Sequence, residues 1–116
     1  MDSNELKGRT KQFALAIIKL IRGQKKDYVS EVMLRQLIKS FTSVAANYRA
    51  ACRAKSKADF INKIAIVEEE ADESHFWLEL LTESGILSLE ETKVHLDEAN
   101  QLTAIFTSIR KTANIK

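Results

Sequence analysis

The sequence predicts an all-α protein, an antiparallel up-down-up-down four-helix bundle, and three observations point there. There is no proline, and there are only three glycines in 116 residues, whereas a β-rich domain needs many turn residues with a preset or positive φ. Hydrophobic residues make up 45% of the chain, enough for one core, so residues 1–116 read as a single domain. Apolar residues also recur at spacings of three and four along four long segments, the signature of amphipathic helices.

The first helix is expected over roughly Glu5–Arg22, with Leu6, Phe13, Ile17, Leu20 and Ile21 as its stripe. Gly23 stands where a left-handed residue commonly ends a helix. The polar run Gln24–Asp27 is then a connection. The second helix is expected over Tyr28–Ala54, with Met33, Leu37, Phe41, Val44, Tyr48 and Ala51 inward and Leu34, Ile38, Ala45 and Cys52 widening that stripe. Ser56-Lys57-Ala58-Asp59 resembles a capping box and opens the third helix. Phe60, Ile64, Val67, Ala71, Ser74, Leu78 and Leu81 follow at helical spacing, and Gly85 closes the segment. Ser88-Leu89-Glu90-Glu91 opens the fourth helix in the same way. Its stripe is Leu89, Leu96, Ala99, Leu102, Phe106 and Ile109, fraying near Lys111. Connections of a few residues between long helices make neighbours antiparallel.

Two helices carry more apolar surface than one bundle hides. A core-facing stripe needs little more than ~100° of arc, yet the first helix adds Leu15 and Ile18, and the third adds Ile66, Trp77 and Leu80 on a separate face. Exposed apolar patches mark interfaces, so these five residues are the expected contacts of a homo-oligomer. The second helix also carries a line of small or polar residues, Gln36, Ser40, Ser43, Asn47, Ala50 and Ala54. Such a line lets helices approach closely, within the chain or between subunits, with Ser40, Ser43 and Asn47 as structural hydrogen-bonding groups.

The chemistry on offer is sparse. No Gly-rich phosphate loop, nucleophile elbow or zinc motif occurs, so an enzyme is not expected, nor a cofactor. Glu68, Asp72, His75 and Glu79 share one line of the third helix. A di-iron carboxylate bundle also needs ligands from the other helices, and those offer too few, so no metal site is expected. His95 falls in the apolar stripe of the fourth helix, and Cys52 is placed on the core face of the second. No apolar run approaches the ~20 residues that cross a bilayer, and the first residues lack the basic-then-apolar pattern of a signal peptide. With a single cysteine, a cytoplasmic protein is expected.

Charge is the strongest functional signal. Residues 1–57 hold 13 Lys and Arg against 4 Asp and Glu, and residues 58–116 hold 5 against 12. Arg35, Lys39, Arg49 and Arg53 share the outer face of the second helix, Lys55 and Lys57 extend that row, and Lys7, Arg9 and Lys11 cluster at the start of the first. Such rows neutralise nucleic-acid phosphates. No aromatic residue is interleaved with the outer row, so recognition would follow backbone and shape. Pairing with the acidic run Glu68–Glu73, in the same or a neighbouring subunit, is the competing reading.

The run Gln36–Phe60, centred on Ser40-Phe41-Thr42-Ser43-Val44-Ala45-Ala46-Asn47-Tyr48-Arg49, resembles one bacterial family. So do Glu69–Leu80 and the opening Leu6-Lys7-x-Arg9-Thr10-Lys11-x-Phe13-Ala14. The family is the 23S rRNA-intervening sequence proteins, once described as ribosomal-protein-like. The resemblance covers nearly the whole chain. It implies a four-helix bundle, ring-shaped homopentamers in some members, and no established enzyme activity. The family is also similar to the accessory protein of diversity-generating retroelements, a basic pentameric barrel, and that similarity implies a nucleic-acid role for Arg49, Arg53 and Lys55. The expectation is a non-enzymatic homo-oligomer that binds structured RNA or another nucleic acid through a basic face; the alternative is a protein-interaction scaffold.

Overall fold

The structure is a computed structural model and describes residues 1–115. Its elements are α1 (Ser3–Arg22), α2 (Tyr28–Ala51), α3 (Lys57–Glu83) and α4 (Leu89–Ile115). α2 packs along α3, α3 along α4, and α1 lies against α2 and more lightly against α4. The diagonal pairs α1–α3 and α2–α4 make no close backbone approach among the described residues. The short connections therefore produce an up-down-up-down bundle, measuring 46 × 21 × 20 Å.

Each helix starts on a side-chain cap, which supplies acceptors for the unpaired first-turn N–H groups. Asp2 Oδ1 accepts from the Glu5 N–H at 2.8 Å. Asp27 and Ser30 cap reciprocally at 2.8 Å in both directions. Ser56 Oγ accepts from the Asp59 N–H at 3.0 Å, while Asp59 Oδ2 accepts from the N–H of Lys55 rather than Ser56 at 3.1 Å. Ser88 and Glu91 form the reciprocal pair of a capping box at 3.1 and 3.0 Å.

The core is one continuous cluster in which Ile17, Leu37, Phe41, Val44, Ile64, Leu78, Leu102 and Phe106 are fully enclosed. Tyr48 of α2 and Phe106 of α4 meet across it with ring centroids 5.3 Å apart. Small polar groups join the helices where backbones come near. The Ser40 hydroxyl donates to the Leu37 carbonyl at 3.0 Å and accepts from Ser74 at 3.2 Å, linking α2 to α3. Thr82 and Thr92 hydroxyls lie 2.7 Å apart and link α3 to α4. Asn47 donates within its own helix, to the Ser43 carbonyl and hydroxyl at 3.0 and 2.7 Å.

Several expectations need correction. Gly23 is not left-handed (φ −84°). Its N–H reaches the Leu20 carbonyl at 3.3 Å and that of Gln24 reaches Ile21 at 3.1 Å, and this tightened last turn satisfies the end carbonyls without a positive φ. α2 stops at Ala51, not Ala54, so Cys52 becomes the C-cap and is exposed instead of facing the core. Ile38 is also exposed, because the α2 stripe is narrower than its apolar content. Leu89 opens α4 at the bundle end and is exposed, and Thr92 takes the buried position one turn on. α4 continues past Lys111 to Ile115, since no glycine or proline interrupts it. His95 is half-buried rather than enclosed. Gly85 does hold the left-handed conformation (φ 81°), and there the chain turns back so that the Leu87 N–H donates to the Leu81 carbonyl at 3.0 Å.

Candidate nucleic-acid interface

The start of α1 lies beside the end of α2, and the seam between them opens into a groove of ≈ 590 Å³. On one rim stand Lys7 and Lys11, one turn apart, and on the other Arg49 and Arg53, also one turn apart. The floor is made of small side chains, Gly8, Ala14, Ala45 and Ala46, with Thr42 and Cys52 at the edges. The small residues create the groove: helices pack 8–10 Å apart according to the side chains between them, and here almost none rise above the backbone. No Asp or Glu lines it among the described residues. Lys11, Arg49 and Arg53 are exposed and Lys7 is half-buried, and none of the four belongs to an ion pair among the described residues.

The six basic residues expected on α2 and beyond it divide into three groups. Arg49 and Arg53 line the groove, while Lys55 and Lys57 are exposed on the adjoining turn and first helical residue of α3. Arg35 and Lys39 lie on the other half of α2. There Arg35 is paired to Glu31 at 3.1 Å and the charge of Lys39 bears on Glu70. Lys7 and Lys11 come into the site from the α1 cluster; Arg9 of the same cluster turns away. Its guanidinium donates twice to Glu98 at 2.7 Å and to Gln101 at 2.8 Å, on α4. The antiparallel order of α1 and α2 was the signal that would have joined the two basic clusters.

The acidic run forms no ion pair with Arg49, Arg53, Lys55 or Lys57 among the described residues. Glu68 faces α4, where it accepts from Thr107 and Arg110, and these hydrogen bonds hold its carboxyl below the usual range. Glu70 faces α2, and burial, followed by the charge of Glu73, pushes its carboxyl up. Glu69, Asp72, Glu73 and Glu79 are exposed. Among the described residues no three His, Cys, Asp or Glu side chains converge as metal ligands would. Burial lowers the His95 pKa, so the imidazole is neutral near pH 7. Burial, then the neighbouring Cys52 thiol, raises that of Tyr48.

The residues expected at an oligomer contact occupy two separate faces. Leu15 and Ile18 are exposed on α1, and Ile66 and Leu80 on α3. Trp77 is half-buried, packed partly on the core, with Phe76 edge-on to it at 5.0 Å. Phe76 itself is 49% exposed and extends the α3 face beyond what the sequence reading assigned. No helix among the described residues is long and apolar enough to cross a membrane.

No curated protein matches the chain. The fold resembles a crystal structure, at 1.70 Å resolution, of a protein of unknown function of the S23 ribosomal protein family from Bacteroides thetaiotaomicron. The two share 34% identity with a TM-score of 0.81, over 90% of this chain and 97% of that one. Residues 3–108 match the family described as 23S rRNA-intervening sequence protein, which spans all four helices and both rims of the basic groove. The chain therefore belongs to the 23S rRNA-intervening sequence protein family.

Proposed function

We propose that this protein is a non-catalytic, self-associating cytoplasmic helical bundle that binds structured RNA or another nucleic acid through the α1–α2 groove. One observation carries the reading: Lys7, Lys11, Arg49 and Arg53 surround one groove with no carboxylate among its lining residues. Unpaired cations on two rims suit a run of phosphates, and nearby Lys55 and Lys57 lengthen the track. Aromatic side chains are missing from the lining, so base stacking of the kind that single-strand binders use has no platform. Backbone geometry is what such a groove can read. The exposed apolar residues on α1 and α3 support self-association, which would multiply a weak single groove into a stronger multivalent contact.

Retention of a structured RNA by the purified protein tests this directly. With four phosphates neutralised, the logarithm of the binding constant falls against the logarithm of salt with a slope of about −3.6. Arg49→Glu with Arg53→Glu abolishes retention while helix content by circular dichroism stays unchanged. Retention that survives in a folded double variant rules the groove out.

A further inference from the structure

The basic groove does not stop at Cys52. That residue also lines a second pocket, of ≈ 380 Å³, walled by Ser3, Tyr48, Ala54, Ser56 and Phe60. Its size falls in the range of small-molecule sites. The join between the two follows from helical spacing. Ser3 stands one turn before Lys7 on α1, and residues four apart share a helix face. Tyr48 and Cys52 are likewise one turn apart at the end of α2. The seam between α1 and α2 therefore runs on into the pocket, where the first turn of α3 closes it with Ser56 and Phe60.

The chemistry changes along the way. No Lys, Arg, Asp or Glu lines the pocket among the described residues. The charge nearby has the wrong sign for a phosphate, because the Asp2 carboxylate bears on Tyr48. The walls are an aromatic ring and hydroxyls. Phe60 is half-buried and packs partly on the core. Tyr48 is only 5% exposed, and its hydroxyl lies beside the Cys52 thiol. Ser56 Oγ accepts from the Asp59 N–H at 3.0 Å, which leaves its own proton free to donate. Such walls suit a flat, uncharged group with hydrogen-bonding edges. Cations stand on both sides of it, Arg49 and Arg53 toward the groove and Lys55 and Lys57 flanking Ser56. A strand crossing here can keep its phosphates on those cations and turn a base into the space between them. A paired base must give up its partner to do so, whereas an unpaired base moves at little cost. Splayed RNA bases are read in this manner, by aromatic contact and by hydrogen bonds to their edges.

We propose that the pocket of Tyr48, Ser56 and Phe60 receives one unpaired nucleobase of an RNA whose neighbouring phosphates lie on Arg49, Arg53, Lys55 and Lys57. This rests on the groove reading above and names the feature of the RNA that is selected. The groove holds the backbone of a helical stem, and the pocket favours a stem that carries a bulged nucleotide beside it.

Three RNAs built on one stem test the assignment: the fully paired stem, the stem with a single bulged adenosine, and the stem with an abasic unit at the bulge. Each is titrated with the full chain at one salt concentration. Contact of a base with an aromatic side chain raises affinity about fivefold or more. The bulged stem is therefore expected to bind about fivefold tighter than the paired stem, and the abasic stem no tighter than the paired one. Phe60→Leu keeps the apolar bulk and removes the ring, and Ala54→Leu fills the pocket from the turn between α2 and α3. Both variants are expected to bind the paired stem as before and to lose the preference for the bulge, with helix content unchanged. Equal binding of the paired and bulged stems overturns the pocket and leaves the groove standing. An abasic bulge that keeps the advantage does the same, as does either folded variant that keeps it. A chain that retains none of the three RNAs overturns the groove reading and the pocket together.

Discussion

Glu68 and Glu70 lie two residues apart and experience opposite environments. Glu68 accepts from Arg110 and Thr107, which hold its pKa below the ordinary 4.5. A carboxylate depressed on folding adds stability above its unfolded pKa and loses it as the pH falls through the folded value. Glu68→Gln is therefore expected to lower the melting temperature at pH 7, and the difference from the unmodified chain should close as the pH drops well below 4.5. Glu70 is the reverse case: burial first, then Glu73, raises its pKa. Its charged form costs stability at neutral pH, so Glu70→Gln should raise the melting temperature at pH 7 and have no effect in acid. Thermal melts of both variants from pH 7 downward check the two signs together. These differences were not legible in the sequence, where Glu68, Glu69 and Glu70 are three identical letters. Arg110 stands 42 positions from Glu68, and only the packing of α4 on α3 brings them together.

At the scale of the helix, identical substitutions at two glycines should act with opposite sign. Gly8 lies within α1, and a Cβ there would meet no atom within 4 Å. Alanine is the better helix former by about 1 kcal/mol, so Gly8→Ala is expected to stabilise by up to that amount. Gly85 also has open space, but its φ is +81°. A Cβ in that conformation crowds the following carbonyl, so Gly85→Ala should destabilise by about 1 kcal/mol. Urea denaturation with an unchanged m-value measures both. Removing the Ser88 cap by Ser88→Ala should likewise cost about 1 kcal/mol. The helices themselves were legible because three- and four-residue spacing survives in a linear reading, and the caps at Ser56 and Ser88 stood out by their acidic partners. The cap at Asp27 was hidden because its third helical residue is Ser30 instead of glutamate. Cys52 was misplaced because periodicity marks a face and carries no information about where α2 stops.

At the scale of the whole molecule, the charge imbalance between the two halves stays largely unresolved inside one copy. Two of the ion pairs among the described residues, Arg9–Glu98 and Arg110–Glu68, bridge helices, while Arg35–Glu31 lies within α2 and Lys63–Asp59 within α3. Salt should weaken both proposed contacts, though unequally. Nucleic-acid binding through phosphates is largely electrostatic and weakens steeply with salt, whereas self-association through the exposed apolar residues of α1 and α3 also covers apolar surface, which salt screening leaves in place. Raising salt is expected to strip RNA before it lowers the assembly mass; light scattering and RNA retention across one salt series compare the two. Half of the basic site could be read from α2 alone, since Arg49 and Arg53 recur one turn apart. The other rim could not, because the rotation of α1 about its axis decides that Lys7 and Lys11 face the groove while Arg9 turns to α4. The order of the helices has a further practical result. α1 begins and α4 finishes at the end of the bundle where Arg53 and Lys55 stand. A peptide tag fused ahead of α1 would therefore lie beside the cationic seam, and an acidic tag there would act as a tethered competitor. An epitope inserted between Lys25 and Lys26, both exposed in the α1–α2 connection at the opposite end, keeps that mouth unobstructed and is the better handle for capturing bound RNA.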